Sequence, residues 1–177
     1  TLFIRRCLGA HPDIATIGET LYWGRAYVEP GPDGLYQRDH LARVRRVQRV
    51  KNLETNFDPD DPGSLRRIDA DAMERIYDEA FSPDAAPISP GDTIRRLRDA
   101  VCRAEGKRLL IEKTPHHINW IDRIEAAMPG SRYIVMIRDP YSWLLSYKHQ
   151  GDRKSAETER MFRRLYNPIG TAFVWRA

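Results

Sequence analysis

The stretch from Ser131 to Gln150, SRYIVMIRDPYSWLLSYKHQ, constrains the fold more than any other part of the chain. Arg132-Tyr133-Ile134-Val135-Met136-Ile137 is a nearly continuous apolar run rich in β-branched and aromatic residues, which predicts a buried strand of a parallel sheet. Arg138-Asp139-Pro140 stops it. Pro140 suits the first position of a helix, where its missing N–H costs nothing, and Tyr141 to His149 continues with a helical pattern. Arg138 is thereby expected at the carboxyl end of a strand and Ser146 on the helix that follows. In open α/β sheets that strand-end crevice is where ligands bind.

A second strand, Arg108 to Glu112, reads RLLIE and is closed by Lys113-Thr114-Pro115. His116 to Met128 then predicts a helix with Ile118, Ile121, Ile124 and Met128 on one side, ended by Pro129-Gly130. A strand, helix, strand, helix order with short connections is the signature of a parallel sheet. It places Lys113 and Arg138 at the same sheet edge, where two cations invite a polyanion. Upstream, Leu2, Phe3, Ile4, Cys7 and Leu8 form a helical apolar face that Gly9 can end. Ile14 to Ile17 is a short extended piece, and Gly18-Glu19 follows it. The chain enters its first helix at once and stops within the apolar run from Asn167, so both ends read as cut.

Residues 27–90 read as a helical, loop-rich insertion without a chemical motif of its own, of the kind that shapes a substrate cleft. His40 to Leu53 predicts a basic amphipathic helix with Leu41, Val44, Val47 and Val50 as its packing stripe. Asn56 to Ser64 is a linker. A helix from about Asp69 to Phe81 should bury Met73, Ile76, Tyr77 and Phe81. Past the insertion's prolines, Ser89 as N-cap, Pro90 first and Asp92 in the first turn open a further helix that runs to Gly106.

Composition narrows the partners. Of 29 basic residues only Lys51, Lys107, Lys113, Lys148 and Lys154 are lysine, and guanidinium forks suit phosphate and sulfate. A net charge of +4 on spread arginines fits an anionic small ligand better than a nucleic-acid surface. Cys7 and Cys102 predict two buried thiols in a reducing compartment, and the five histidines lack a metal-binding spacing, so no metal is expected. No segment approaches the ~18 apolar residues of a membrane span. At 177 residues the chain is expected to form a single domain.

Three motifs in chain order resemble those of sulfotransferases that use 3′-phosphoadenosine 5′-phosphosulfate (PAPS). Arg138-Asp139-Pro140-Tyr141 with Ser146 is similar to their 3′-phosphate motif, and Glu112-Lys113-Thr114-Pro115 to the lysine-bearing strand end of bacterial and Golgi-type members. Leu8 to Asp13 running on to Gly18-Glu19-Thr20 is similar to the segment after their 5′-phosphosulfate loop, especially in the tyrosylprotein branch. Thr1 would be the last residue of that loop. The resemblance covers residues 1–24 and 105–150 and leaves the insertion unmatched. It implies an α/β fold of P-loop type, a parallel sheet flanked by helices, incomplete at both ends.

The same resemblance implies roles. Arg138 and Ser146 hold the 3′-phosphate, Thr1 touches the 5′-phosphate, and Lys113 lies over the transferring oxygens. Glu19 corresponds to the acceptor-activating base of the tyrosylprotein members, a task a carboxylate performs where burial raises its pKa. Cytosolic members place a histidine two residues after the lysine; Pro115 stands there, leaving His116 or His117 as substitutes ranked behind Glu19. Lys148, His149, Arg153 and Lys154 belong to a segment able to close over donor or acceptor, and Trp143, Tyr147 and Tyr166 can pack or stack on adenine. Leu21 replaces the arginine of the tyrosylprotein branch, which leaves carbohydrate, lipid and small-metabolite hydroxyls as acceptors beside tyrosine. A P-loop kinase, which would need an acidic magnesium ligand where Lys113 stands, and a non-catalytic nucleotide- or anion-binding module remain open. A cytoplasmic location is expected, with the Golgi lumen or a membrane-attached form as the alternative where an anchor precedes the chain.

Overall fold

Ile14–Ile17 and Leu109–Glu112 run side by side as parallel strands β1 and β2, with Ile14 opposite Leu109 and Ile17 opposite Glu112. The computed structural model describes residues 2–54, 68–149 and 160. Thr1, the Asn56–Ser64 linker, Arg153, Lys154, Tyr166 and the run from Asn167 lie outside them, as do the side chains of Leu2, Phe3, Val50 and Tyr147. The register brings both carboxyl ends level, so Gly18-Glu19 and Lys113-Thr114 leave the sheet at one edge. The opposite edge is tied by Asp13, whose carbonyl accepts the N–H groups of Arg108 and Leu109, each at 3.0 Å.

Helices flank this small sheet. Helix α1, Leu2–Gly9, packs on β1, and helix α4, Pro90–Glu105, packs on both strands. Helix α4 begins as its sequence dictates: Ser89 Oγ accepts the Asp92 N–H at 3.0 Å and donates to its carboxylate at 2.8 Å, and Pro90 takes the first position. Gly106, at φ 64°, ends it in the left-handed region that a side chain would strain. Its buried face is Leu97, Ala100, Val101 and Cys102.

The insertion contributes to the same core. Helices α2, Arg38–Glu54, and α3, Ala70–Ala80, bury Leu41, Val44, Met73, Ile76 and Tyr77, with Phe81 just past the end of α3. Asp69 caps α3 by accepting the Ala72 N–H at 2.6 Å. Arg45 of α2 reaches Asp78 at 2.5 Å and Glu74 at 3.4 Å, joining the two helices. Tyr22, Tyr36 and Phe81 are fully buried at the centre, Phe81 supplying about 1.5–3 kcal/mol of apolar burial. The Tyr22 hydroxyl lies 3.2 Å from the Pro90 carbonyl and 3.3 Å from Tyr36 Oη, and burial pushes the Tyr36 hydroxyl up to about 12.

The chain divides into two compact units, Thr1–Tyr133 and Ile134–Ala177. In the second, helix α6, Pro140–Lys148, is capped by Asp139, whose carboxylate accepts the Ser142 N–H at 2.7 Å. No helix among the described residues is long and apolar enough to cross a membrane.

Several expectations are corrected. Residues 131–139 carry no regular secondary structure, and Ile134, Val135, Met136 and Ile137 are 47–81% exposed rather than buried in a strand. Apolar, β-branched composition favours extended backbone, but a strand exists only through a ladder to a neighbour, and this run has none among the described residues. The helix read over His116–Met128 is a 3₁₀ segment, Pro115–Trp120, followed by α5, Ile121–Ala127. Three residues per turn instead of 3.6 shifts the phase, which leaves Ile118 at 55% exposed while Ile124 is buried. Cys7 is exposed, whereas Cys102 is buried on α4.

Candidate active site

The level carboxyl ends of β1 and β2 bring together residues far apart in sequence. Lys113 Nζ bonds directly to Glu19 Oε1, with the two side chains 22% and 33% exposed, so they form a half-buried ion pair. Each follows its strand by one or two residues, and the parallel register brings them to the same end of the sheet.

Next to Lys113 along the chain stands a second carboxylate. Glu112, the last residue of β2, accepts on Oε1 the Thr20 N–H at 2.9 Å, the Thr20 hydroxyl at 2.9 Å and the Thr114 hydroxyl. Its Oε2 is 3.0 Å from His117 Nδ1. Burial raises the Glu112 pKa, but the hydrogen bond and charge of His117, with the Thr114 and Thr20 bonds, outweigh it and hold the carboxyl below its ordinary range. His117 Nε2 is buried and has no partner among the described residues. The two threonines pass the contact on: Thr114 Oγ1 accepts the Leu21 N–H at 3.3 Å, and Thr20 Oγ1 accepts the Tyr22 N–H at 3.2 Å. Three consecutive N–H groups of the loop after Glu19 are therefore satisfied by side chains.

Those bonds hold Leu21 at φ 50°, a left-handed conformation that disfavours a side chain with a Cβ. The loop then makes a wide turn, Tyr22–Ala26, that buries Tyr22 and Trp23. Gln48 of α2 donates to the Thr20 carbonyl at 2.9 Å and so fastens the insertion to this loop.

Among the predicted site residues, Glu19 and Lys113 meet. His116 is exposed on the 3₁₀ segment, and it is His117 that turns to Glu112. Arg138, Ser146 and Lys148 are exposed residues of the second unit, Arg138 immediately before the Asp139 cap and Ser146 and Lys148 on α6. Thr1 lies outside the described residues. Glu112, Thr20, Thr114 and His117 escaped the sequence reading as a group. The signal was present: a carboxylate that ends an apolar strand needs a partner, and two threonines and a histidine stand within reach of it along the chain or across the register.

Chemically, the edge offers an ammonium able to follow an anion and a carboxylate able to take a proton once the ammonium leaves it. Among the described residues no three His, Cys, Asp or Glu side chains converge as metal ligands would. No curated protein and no solved structure matches the chain. A family model described as the sulfotransferase family matches residues 1–170. With a lysine and a carboxylate paired at the carboxyl ends of parallel strands, and a match over nearly its whole length, the chain belongs to the sulfotransferase family and is a sulfuryl-transferring enzyme.

Proposed function

We propose that this enzyme transfers a sulfuryl group from PAPS to a hydroxyl of a carbohydrate, lipid, small metabolite or protein tyrosine. The observation that carries this reading is the Glu19–Lys113 ion pair at the strand ends of a chain in this family. The 5′-phosphosulfate draws Lys113 from Glu19 onto the transferring oxygens. The freed carboxylate then takes the acceptor proton as the acceptor oxygen attacks sulfur in line. The S–O bond to the phosphate breaks, and 3′-phosphoadenosine 5′-phosphate (PAP) leaves with the bonding electrons, balancing the step without a further reactant. His116 is the second candidate for the proton. Thr1, Arg138, Ser146 and Lys148 hold the donor, Arg138 and Ser146 at its 3′-phosphate. The whole chain acts as one α/β domain of P-loop type, with residues 27–90 shaping the acceptor side.

Calorimetry of PAP, 5′-AMP and ATP against the full-length protein tests the donor. PAP should bind in strong preference to the other two without added magnesium, and Arg138→Ala should weaken it about 10- to 100-fold by removing one charge-assisted bond. Equal affinity for all three ligands sinks the proposal.

A further inference from the structure

Glu112 has no part in the chemistry just described, yet it accepts three hydrogen bonds on one oxygen and faces His117 with the other. Glu112 receives bonds from both sides of the site. Thr20, whose N–H and hydroxyl it accepts, is the neighbour of Glu19; Thr114, whose hydroxyl it accepts, is the neighbour of Lys113. His117, on its other oxygen, belongs to the segment that follows Thr114, and its own N–H is bound by the Thr114 carbonyl at 3.0 Å. The ladder stops at the Ile17–Glu112 pair, so beyond it no main-chain bonds of the sheet hold the two segments together. Glu112 takes over there, as one charged acceptor shared by both loops.

A shared acceptor of this kind determines a distance. Thr20 and Thr114 converge on the same oxygen, so Glu19 and Lys113 are set opposite one another by bonds that neither of them makes. The strained Leu21 backbone is consistent with this duty: it is tolerated because the N–H groups on either side of it, and its own, are claimed by Glu112 and the two threonine hydroxyls. We propose that Glu112 is the positioning residue of this active site, its carboxylate spanning Thr20, Thr114 and His117 to set the separation of Glu19 from Lys113. This inference rests on the sulfotransferase reading for its catalytic consequence, but not for its geometry.

The test uses the full chain. Glu112→Gln keeps the side-chain volume and one acceptor oxygen but presents an amide donor where either Thr20 and Thr114 or His117 needs an acceptor. Two readouts are followed. The first is the NMR shift of the Lys113 side-chain ammonium, with Glu19→Gln marking its position when the pair is broken. Glu112→Gln should carry the Lys113 signal toward that position. The second is turnover of PAPS with whichever acceptor the wild type uses best in a panel of phenols, sugars and alcohols. Here kcat should fall about 10²-fold for a displacement of an ångström or so, while PAP affinity stays within about threefold.

Thr114→Val, which removes one hydroxyl without changing size, should shift both readouts in the same direction, and Thr114→Ser should restore them. This pair serves in place of Glu112→Gln if that variant does not fold. A folded Glu112→Gln or Thr114→Val protein with the wild-type Lys113 signal and wild-type kcat overturns the proposal. If the wild type fails to bind PAP, the sulfotransferase reading falls while the Lys113 signal still decides the role of Glu112.

Discussion

Glu112 is a residue whose environment carries a sign that can be measured. Its carboxyl is held below the ordinary value of 4.5, the cost of burial being exceeded by His117, Thr114 and Thr20. A carboxyl depressed in the folded state contributes stability that is complete above its unfolded value and is lost as the pH falls through the lower, folded one. Acid unfolding curves should therefore show the wild type losing stability below about pH 4.5 more steeply than Glu112→Gln, which has no proton to take up there. Matching pH slopes for the two proteins would contradict the network. Asp13, Asp92 and Asp139 are also held low, by Arg108, by Ser89 and Arg95, and by Ser142. They are common to both proteins and cancel in the comparison.

At the scale of elements, helix α4 shows two kinds of constraint with different magnitudes. Ser89 satisfies the first turn, and Ser89→Ala should cost about 1 kcal/mol in a denaturant titration, as loss of a cap does. Gly91, two residues after the cap, faces α5: a Cβ there would come within 2.1 Å of the Ala127 carbonyl oxygen. The obstacle is backbone, which cannot swing aside, so Gly91→Ala should cost about 3 kcal/mol despite the better helix propensity of alanine. A Gly91→Ala protein as stable as the wild type would mean that α4 and α5 do not approach this closely. The cap was legible in the order Ser-Pro-Gly-Asp, since every group involved lies within four residues. The glycine's role was not, because the atom it avoids is 36 positions away.

At the scale of the molecule, the first unit is organised by a core to which the sheet, α4 and the insertion all contribute. Tyr22 from the site loop, Tyr36, Leu41 and Val44 from the insertion, and Leu97 and Val101 from α4 are all buried in one cluster. The insertion is thus structurally inseparable from the elements that bear Glu19 and Lys113. Native-state hydrogen exchange should give the amides of α3 and those of β1 the same largest opening free energy, as members of one cooperative unit. An α3 that opens several kcal/mol below β1 would show the insertion to be an independent appendage.

The amino-acid sequence by itself determined the elements whose causes are local. Caps, proline positions and the 3.6-residue stripe place α2, α3 and α4, and short apolar runs place β1 and β2, because each acts between neighbours along the chain. The family, too, was legible from motifs in order. Only the tertiary structure decided which residues meet. Glu19 finds Lys113 across 94 positions, and Thr20 finds Glu112 across 92, through a parallel register that no local pattern encodes. For the same reason the apolar run from Arg132 to Ile137 was read as a strand and is not one in the structure. Composition states a preference for extended, buried backbone, whereas pairing is a property of two segments, and it is settled only where the second is present in register.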